Sequence, residues 1–165
     1  MRRLLLSTAV VALLFLPIEG IPVVGYFRGI AGDLSITTLL LLASGAVAIA
    51  SGPKLHDRRE LQTLAAFVLA GAAFLYPMAL GLTSFDPYAL GYPDRIRGFL
   101  FGLAPVALFA WFRGRLLLLL AVVLALAAFR FELLDSRNLW DYLLDPWLTV
   151  YLAGFTIFAC FSKSR

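Results

Sequence analysis

One histidine and one cysteine are all that 165 residues provide of the side chains most used in metal, redox and proton-relay chemistry. A lone Cys160 excludes an internal disulfide and any CxxC metal or redox motif, and it reads as a buried, inert thiol. A lone His56, lodged in the basic stretch GPKLHDRRE (52–60), excludes a Ser-His-Asp relay, a two-histidine haem site or a zinc site built with the acidic residues that crowd other parts of the chain. No G-x-x-x-x-G-K-S/T segment occurs, and no glycine fingerprint follows a strand, strands themselves being unexpected. Charge is scarce as well: 15% of residues are Asp, Glu, Lys or Arg, against about 25% in soluble domains. With no catalytic motif, metal set or cofactor motif, the composition points away from an enzyme.

What the chain has instead is apolar bulk. Hydrophobic residues make up 62% and the mean hydropathy is +0.91, a composition suited to the bilayer interior. Apolar segments recur at about 3–17, 34–52, 61–81, 97–112, 116–131 and 146–162. A membrane-crossing helix takes about 20 residues, so six of them leave no room for a sizeable soluble domain. The expectation is an all-α polytopic membrane helix bundle, a single integral membrane domain over 1–165 with about six transmembrane helices and short loops. The first segment is the weakest, because the run from Leu4 to Leu16 would rise roughly 20 Å as a helix, short of the roughly 30 Å hydrocarbon core. Arg2, Arg3 and that apolar run have the form of a signal peptide. The following PIEGIPVVG offers no A-x-A cleavage site, so the segment is read as an uncleaved anchor, completed by extension past Pro17 or by bilayer thinning.

Loop charge orients such a bundle, since basic residues beside membrane segments stay on the cytoplasmic side. With both termini inside, the N-terminus, residues 52–60, FRGR (112–115) and the tail SKSR carry nine basic residues and only Asp57 and Glu60, a net of +7, while the opposite face holds five Arg and eight carboxylates, a net of −3. The basic clusters are short, flank apolar spans and lack interleaved aromatics. They read as contacts with anionic lipid headgroups and not as a nucleic-acid surface, despite a pI near 9.6.

The stretch FRFELLDSRNLWDYLLDPW (129–147) places six charged side chains between two apolar spans, on the outer face by this count. Residues 137–145 read as a short interfacial helix with Ser136 or Asn138 as N-cap and an end forced at Asp145 by Pro146. Leu139, Trp140, Leu143 and Leu144 would line one side, and Arg137, Asp141 and Asp145 would form a solvated stripe. Trp140, Tyr142 and Trp147 then read as interfacial anchors. Other outward charges are Glu19, Arg28 and Asp33 from the first loop and Asp86, Asp94, Arg95 and Arg97 from the second, and together these ten residues form a candidate outer-face polar cluster. Asp33 opens a long apolar helix. It stays at the interface as a helix N-terminal residue, with Ser35, Thr37 and Thr38 bonding back to the preceding turn, or it pairs with Arg28, Arg95 or Arg97. Convergence of Asp33, Arg95, Arg97 and Asp141 in one cavity would suit a phosphorylated headgroup, since guanidinium groups bind phosphate in a fork.

Within the spans the signals are of packing. GFLFG (98–102) is a small-xxx-small face, and Pro77 and Pro105 are expected to kink their helices. The segment GDLSITTLLLL (32–42) is similar to the early membrane helices of envelope phosphoglycerol and phosphoethanolamine transferases. The 165 residues leave no room for the large external catalytic domain of those enzymes, so neither activity nor catalytic residues carry over. Three functional expectations follow. The first is a non-catalytic accessory or scaffold subunit of an inner-membrane or envelope complex, docking a membrane protein partner through its outer loops. The second is a membrane enzyme or binding protein for a phosphorylated lipid at the outer face. The third is a small-solute transporter, for which 1–81 and 82–165 share only hydropathy where inverted repeats are wanted.

Overall fold

The computed structural model describes residues 12–162 apart from 14 and 53–55. Arg2, Arg3, Lys54, Lys163, Arg165 and most of the first apolar segment lie outside the described residues. The chain is mostly helical. A hairpin of two short antiparallel strands, β1 (Pro17–Ile18) and β2 (Ile21–Pro22), precedes α1 (Val23–Ala31), α2 (Ile36–Ser51), α3 (Arg58–Ala79), α4 (Ile96–Phe112), α5 (Leu116–Arg130), the five-residue α6 (Leu139–Leu143) and α7 (Pro146–Ser162). A 3₁₀ turn, Tyr88–Gly91, interrupts the link from α3 to α4. Five of the six expected apolar segments are thus helices. The first does not extend helically past Pro17, because β1 begins there and Glu19 and Gly20 turn the chain with φ of 51° and 84°.

Short polar side chains start these helices by accepting the orphan N–H groups of the first turn. Ser35 accepts from Thr38 N at the start of α2, Asp57 from Glu60 N at α3, and Asn138 from Trp140 N at α6. Three helices end in the same way: α3, α4 and α5 each close with a residue in the left-handed region, whose N–H and successor's N–H return to carbonyls of the last turn. Gly81 and Gly114 supply that residue for α3 and α4, but Glu132, at φ 52°, supplies it for α5. A left-handed non-glycine residue costs about 1–2 kcal/mol, and glycine gives back about 0.5–1 kcal/mol of that in extra unfolded-chain freedom. Glu132→Gly is therefore expected to raise the unfolding free energy by about 0.5–1 kcal/mol, read as a higher denaturation midpoint at unchanged slope. A lower midpoint would show that the Glu132 side chain has a role that outweighs its backbone cost.

The core runs along α5, which packs against α2, α3, α4 and α6. Its buried face, Leu117, Leu118, Ala121, Val122, Ala125 and Ala128, repeats at helical spacing, and the alanines let neighbouring helices come close. Leu64, Val68, Ala72 and Leu75 of α3 and Leu148, Leu152 and Ala159 of α7 complete it. The expectation of a buried Cys160 is corrected here: next to Ala159 but off that buried face, it is exposed at the end of the last helix. The bonds between helices sort the loops into two ends. Arg58 Nη2 donates to Ala159 O at 2.8 Å and Leu117 N to Glu60 Oε2 at 2.9 Å at one end; Ser35 N donates to Asp145 and Asn138 Nδ2 to Tyr88 O at the other. The basic loops occupy the first end and the acidic loops the second.

Among the described residues one helix, α3, with 22 residues and an 18-residue window of mean hydropathy 1.6, is long and apolar enough to cross a membrane. Helices α2, α4, α5 and α7 are apolar but run to only 15–17 residues, a rise of about 22–26 Å. Pro77 and Pro105 lie inside α3 and α4. Gly98 and Gly102 of α4 face open space, with no atom from outside their own helix turn within 4 Å of where a Cβ would stand, so no described helix packs closely on their small-residue face.

Candidate functional site

Residues 129–147 form the most tightly bonded part of the acidic end. Asn138 is completely buried and caps α6, its Oδ1 accepting from Trp140 N at 3.0 Å while its amide donates to Tyr88 O at 2.8 Å. Trp140 Nε1 donates to Pro87 O at 3.0 Å, and the indole lies 4.4 Å, centroid to centroid, from Phe99. Tyr142 stacks edge-on against Phe129, and its hydroxyl donates to Leu134 O and Ser136 O. The expectation that Trp140 and Tyr142 anchor an interfacial helix is corrected here: they are 6% and 0% exposed. The reason is that α6 has only five residues and buries both of its faces between α5 and the 3₁₀ turn, while Pro87 O takes the Trp140 N–H and Leu134 O and Ser136 O in the loop before α6 take the Tyr142 hydroxyl. Trp147 alone of the three stays half-exposed.

Asp145, expected in a solvated stripe, is 5% exposed. It belongs to the start of α7 and not to the end of α6: Oδ1 accepts from Leu148 N at 2.8 Å, with Pro146 at the first helical position, where its missing N–H costs nothing. Its other oxygen accepts from Ser35 N at 2.9 Å and from the Thr38 hydroxyl, so one carboxylate joins the N-terminal ends of α2 and α7. Thr38 thus bonds forward to Asp145, Ser35 caps its own helix, and Thr37 Oγ1 is buried with no hydrogen-bond partner.

Asp141 accepts from the Tyr88 hydroxyl at 2.7 Å and from Ser136 Oγ. Burial, and then the Asp141 hydrogen bond and charge, push the Tyr88 phenol well above its ordinary range, so it stays a donor. Asp33 resolves in favour of Arg28 among the three arginines proposed for it, and Arg28 also reaches Asp135, a residue outside the candidate cluster. This triad is open to solvent, with the Arg28 side chain 55% exposed. Asp86 accepts from Tyr88 N at 2.9 Å and shapes the 3₁₀ turn. Arg95 meets only the neighbouring Asp94, at 3.9 Å, and Arg97, Arg137 and Glu19 are exposed. Asp33 is held by Arg28, Asp141 by Tyr88 and Ser136, and Arg95 by Asp94, and none of Asp33, Arg95, Arg97 and Asp141 lines either of the two grooves on the flanks. Sequence reasoning missed Tyr88 as the partner of Asp141 and Glu60 as a bridge from α3 to α5. Neither pairing leaves a spacing signal, since the partners are 53 and 57 residues apart.

Among the described residues, no group of three or more His, Cys, Asp or Glu is placed to hold a metal ion. Two grooves open on the flanks. One of about 860 Å³ lies between α2 and α7, lined by Leu41, Ser44, Ala48, Tyr151 and Phe155 and reaching His56 at the basic end. The other, of about 620 Å³, lies between α3 and α4 and carries Arg59 and Arg115. Fold and site together define a mostly helical, all-α protein whose acidic end is tied by buried caps. No family model, curated protein or solved structure matches the chain.

Proposed function

We propose that this chain is a multi-pass protein of the bacterial inner membrane, basic end inward, that serves as a non-catalytic docking subunit for a membrane partner through its acidic end. The observation that carries the reading is the use to which its carboxylates are put. Asp145, Asp141, Asp33 and Asp86 are all engaged in caps and ties, which suits a rigid platform better than a reaction centre that needs a free base. The membrane reading is supported by α3, of whose most apolar window only 28% is buried, unlike the core helix of a soluble protein. It is also supported by Phe101, Phe112, Trp111, Val150, Phe158 and Phe161, each 68–80% exposed on the flanks. Local bilayer thinning accommodates helices of 15–17 residues at modest cost.

The test replaces Cys160 with serine and introduces single cysteines at Asp94 or at Arg113, both exposed and at opposite ends. An impermeant thiol reagent added to intact spheroplasts is expected to label position 94, and position 113 only after lysis. Labelling of both from one side overturns the topology, and recovery of the protein in the soluble fraction overturns the membrane reading altogether.

A further inference from the structure

The groove between α3 and α4 changes polarity along its length. Its α3 wall reads Arg59, Gln62, Thr63, Ala66 and Phe67, one face of the helix, from charged at the mouth to apolar within. From Arg59 to Phe67 this gradient extends about 12 Å. Pro105, Val106 and Phe109 of α4 and Leu118 of α5 form the rest of the apolar depth, and Arg115 stands with Arg59 at the mouth. The cleft lies beside α3 where α4 packs chiefly on α5. A third arginine, Arg113, lies over the Phe109 ring at 5.9 Å.

None of these three arginines has an ion-pair partner among the described residues. Among the described residues, ion pairs form only at Arg28 and Arg95, both at the acidic end. Glu60, the nearest carboxylate in sequence, accepts from Leu117 N instead, and the Thr63 hydroxyl is turned back onto Arg59 O at 2.8 Å. Two to three guanidinium groups without an ion-pair partner among the described residues, above an apolar trough, suit a ligand with an anionic head and a hydrocarbon body.

We propose that this groove is a binding site for an anionic phospholipid, its phosphate held by Arg59 and Arg115 with Arg113 nearby, its glycerol region beside Gln62, and the upper part of one acyl chain lying along Ala66, Phe67, Val106 and Phe109. The site rests on the membrane reading above. It lies at the end opposite to the outer-face cluster and uses none of its residues. A lipid fits better than a soluble phosphate because more of the groove's lining is apolar than charged, and a free anion would leave that depth unfilled.

The test uses the full chain purified in a mild detergent and titrated with phosphatidylglycerol, with phosphatidylcholine as the zwitterionic control and inorganic phosphate as the headless one, bound lipid being counted by native mass spectrometry. Wild type is expected to prefer phosphatidylglycerol at least tenfold. The double variant Arg59→Gln, Arg115→Gln is expected to lose that preference by on the order of tenfold to thirtyfold, while Arg95→Gln, Arg97→Gln at the other end leaves it unchanged. Should the glutamine variant fail to fold, Arg59→Lys, Arg115→Lys retains charge without the planar fork, and an intermediate preference is expected. Equal binding of both lipids by wild type, indifference to the Arg59 and Arg115 changes, or displacement of the lipid by millimolar inorganic phosphate would each overturn the proposal. Those outcomes come from protein extracted from membranes; protein found soluble without detergent would instead overturn the membrane reading before any lipid is added.

Discussion

Alanine at position 145 is expected to destabilise the protein by about 3–5 kcal/mol, the largest effect of any single carboxylate removal in the chain. The Asp145 side chain receives three donors at a site that is 5% exposed: Leu148 N, Ser35 N and the Thr38 hydroxyl. Truncation leaves all three behind. Each buried donor without a partner costs about 1–3 kcal/mol, partly relieved by relaxation, and the loss of a helix cap alone is worth about 1 kcal/mol. Asn retains one acceptor oxygen but turns an NH₂ toward donors, so Asp145→Asn is expected to cost about 1–2 kcal/mol. Asp94→Ala, which removes only an exposed partner of Arg95, should stay within about 0.5 kcal/mol of wild type. Denaturant unfolding of the detergent-solubilised protein at constant slope measures all three. If Asp145→Ala were no worse than Asp94→Ala, the joining of α2 to α7 through this carboxylate would carry no weight.

That prediction also shows where the amino-acid sequence is legible and where it is not. Apolar runs set the helices, so 34–52, 61–81, 97–112, 116–131 and 146–162 correspond to α2, α3, α4, α5 and α7 within a few residues. Charge sign sorted the loops into two ends because like-charged loops share an end in the fold. The dipeptide Asp145–Pro146 was ambiguous. Proline disfavours helix in the residue before it and favours the first position of a helix after it, and only the second meaning applies here. Reading it as a stop put Asp145 on a solvated stripe. In the structure it starts a new helix whose partner, Ser35, is 110 residues away.

Trp140 and Tyr142 depart from the interfacial expectation for a related reason. An aromatic residue between two apolar spans satisfies a membrane interface and a buried hydrogen bond equally well, since both offer an apolar body and a polar tip. The choice between them is made by carbonyls at Pro87 and Leu134 that no local pattern reveals. The arginine groove escaped for the opposite reason. As topology signals Arg59 and Arg115 enter only through their number, and number does not show that they share a mouth.

Gly91→Ala tests the other tie at the acidic end, and it is expected to cost about 3 kcal/mol or more. Gly91 closes the 3₁₀ turn and is buried against α6. A Cβ there would overlap Asn138 Oδ1 and would lie 2.8 Å from Asn138 Cγ and 2.9 Å from Trp140 Cδ1. Neither neighbour is free to yield, because Asn138 bonds both Trp140 N and Tyr88 O while Trp140 bonds Pro87 O. Overpacking costs about 1–3 kcal/mol, and each buried hydrogen bond lost in making room adds about 1–3 kcal/mol. Gly98→Ala is the matched control: that glycine is helical with open space around it, so alanine should be neutral or stabilising by up to about 1 kcal/mol. In an Asn138→Ala background the steric conflict is relieved, and Gly91→Ala should then cost at least 1 kcal/mol less than it does in wild type, a coupling of the size expected for residues in contact. If the two changes simply add, the backbone of Gly91 is not held against Asn138, and the acidic end is not the rigid platform that a docking surface requires.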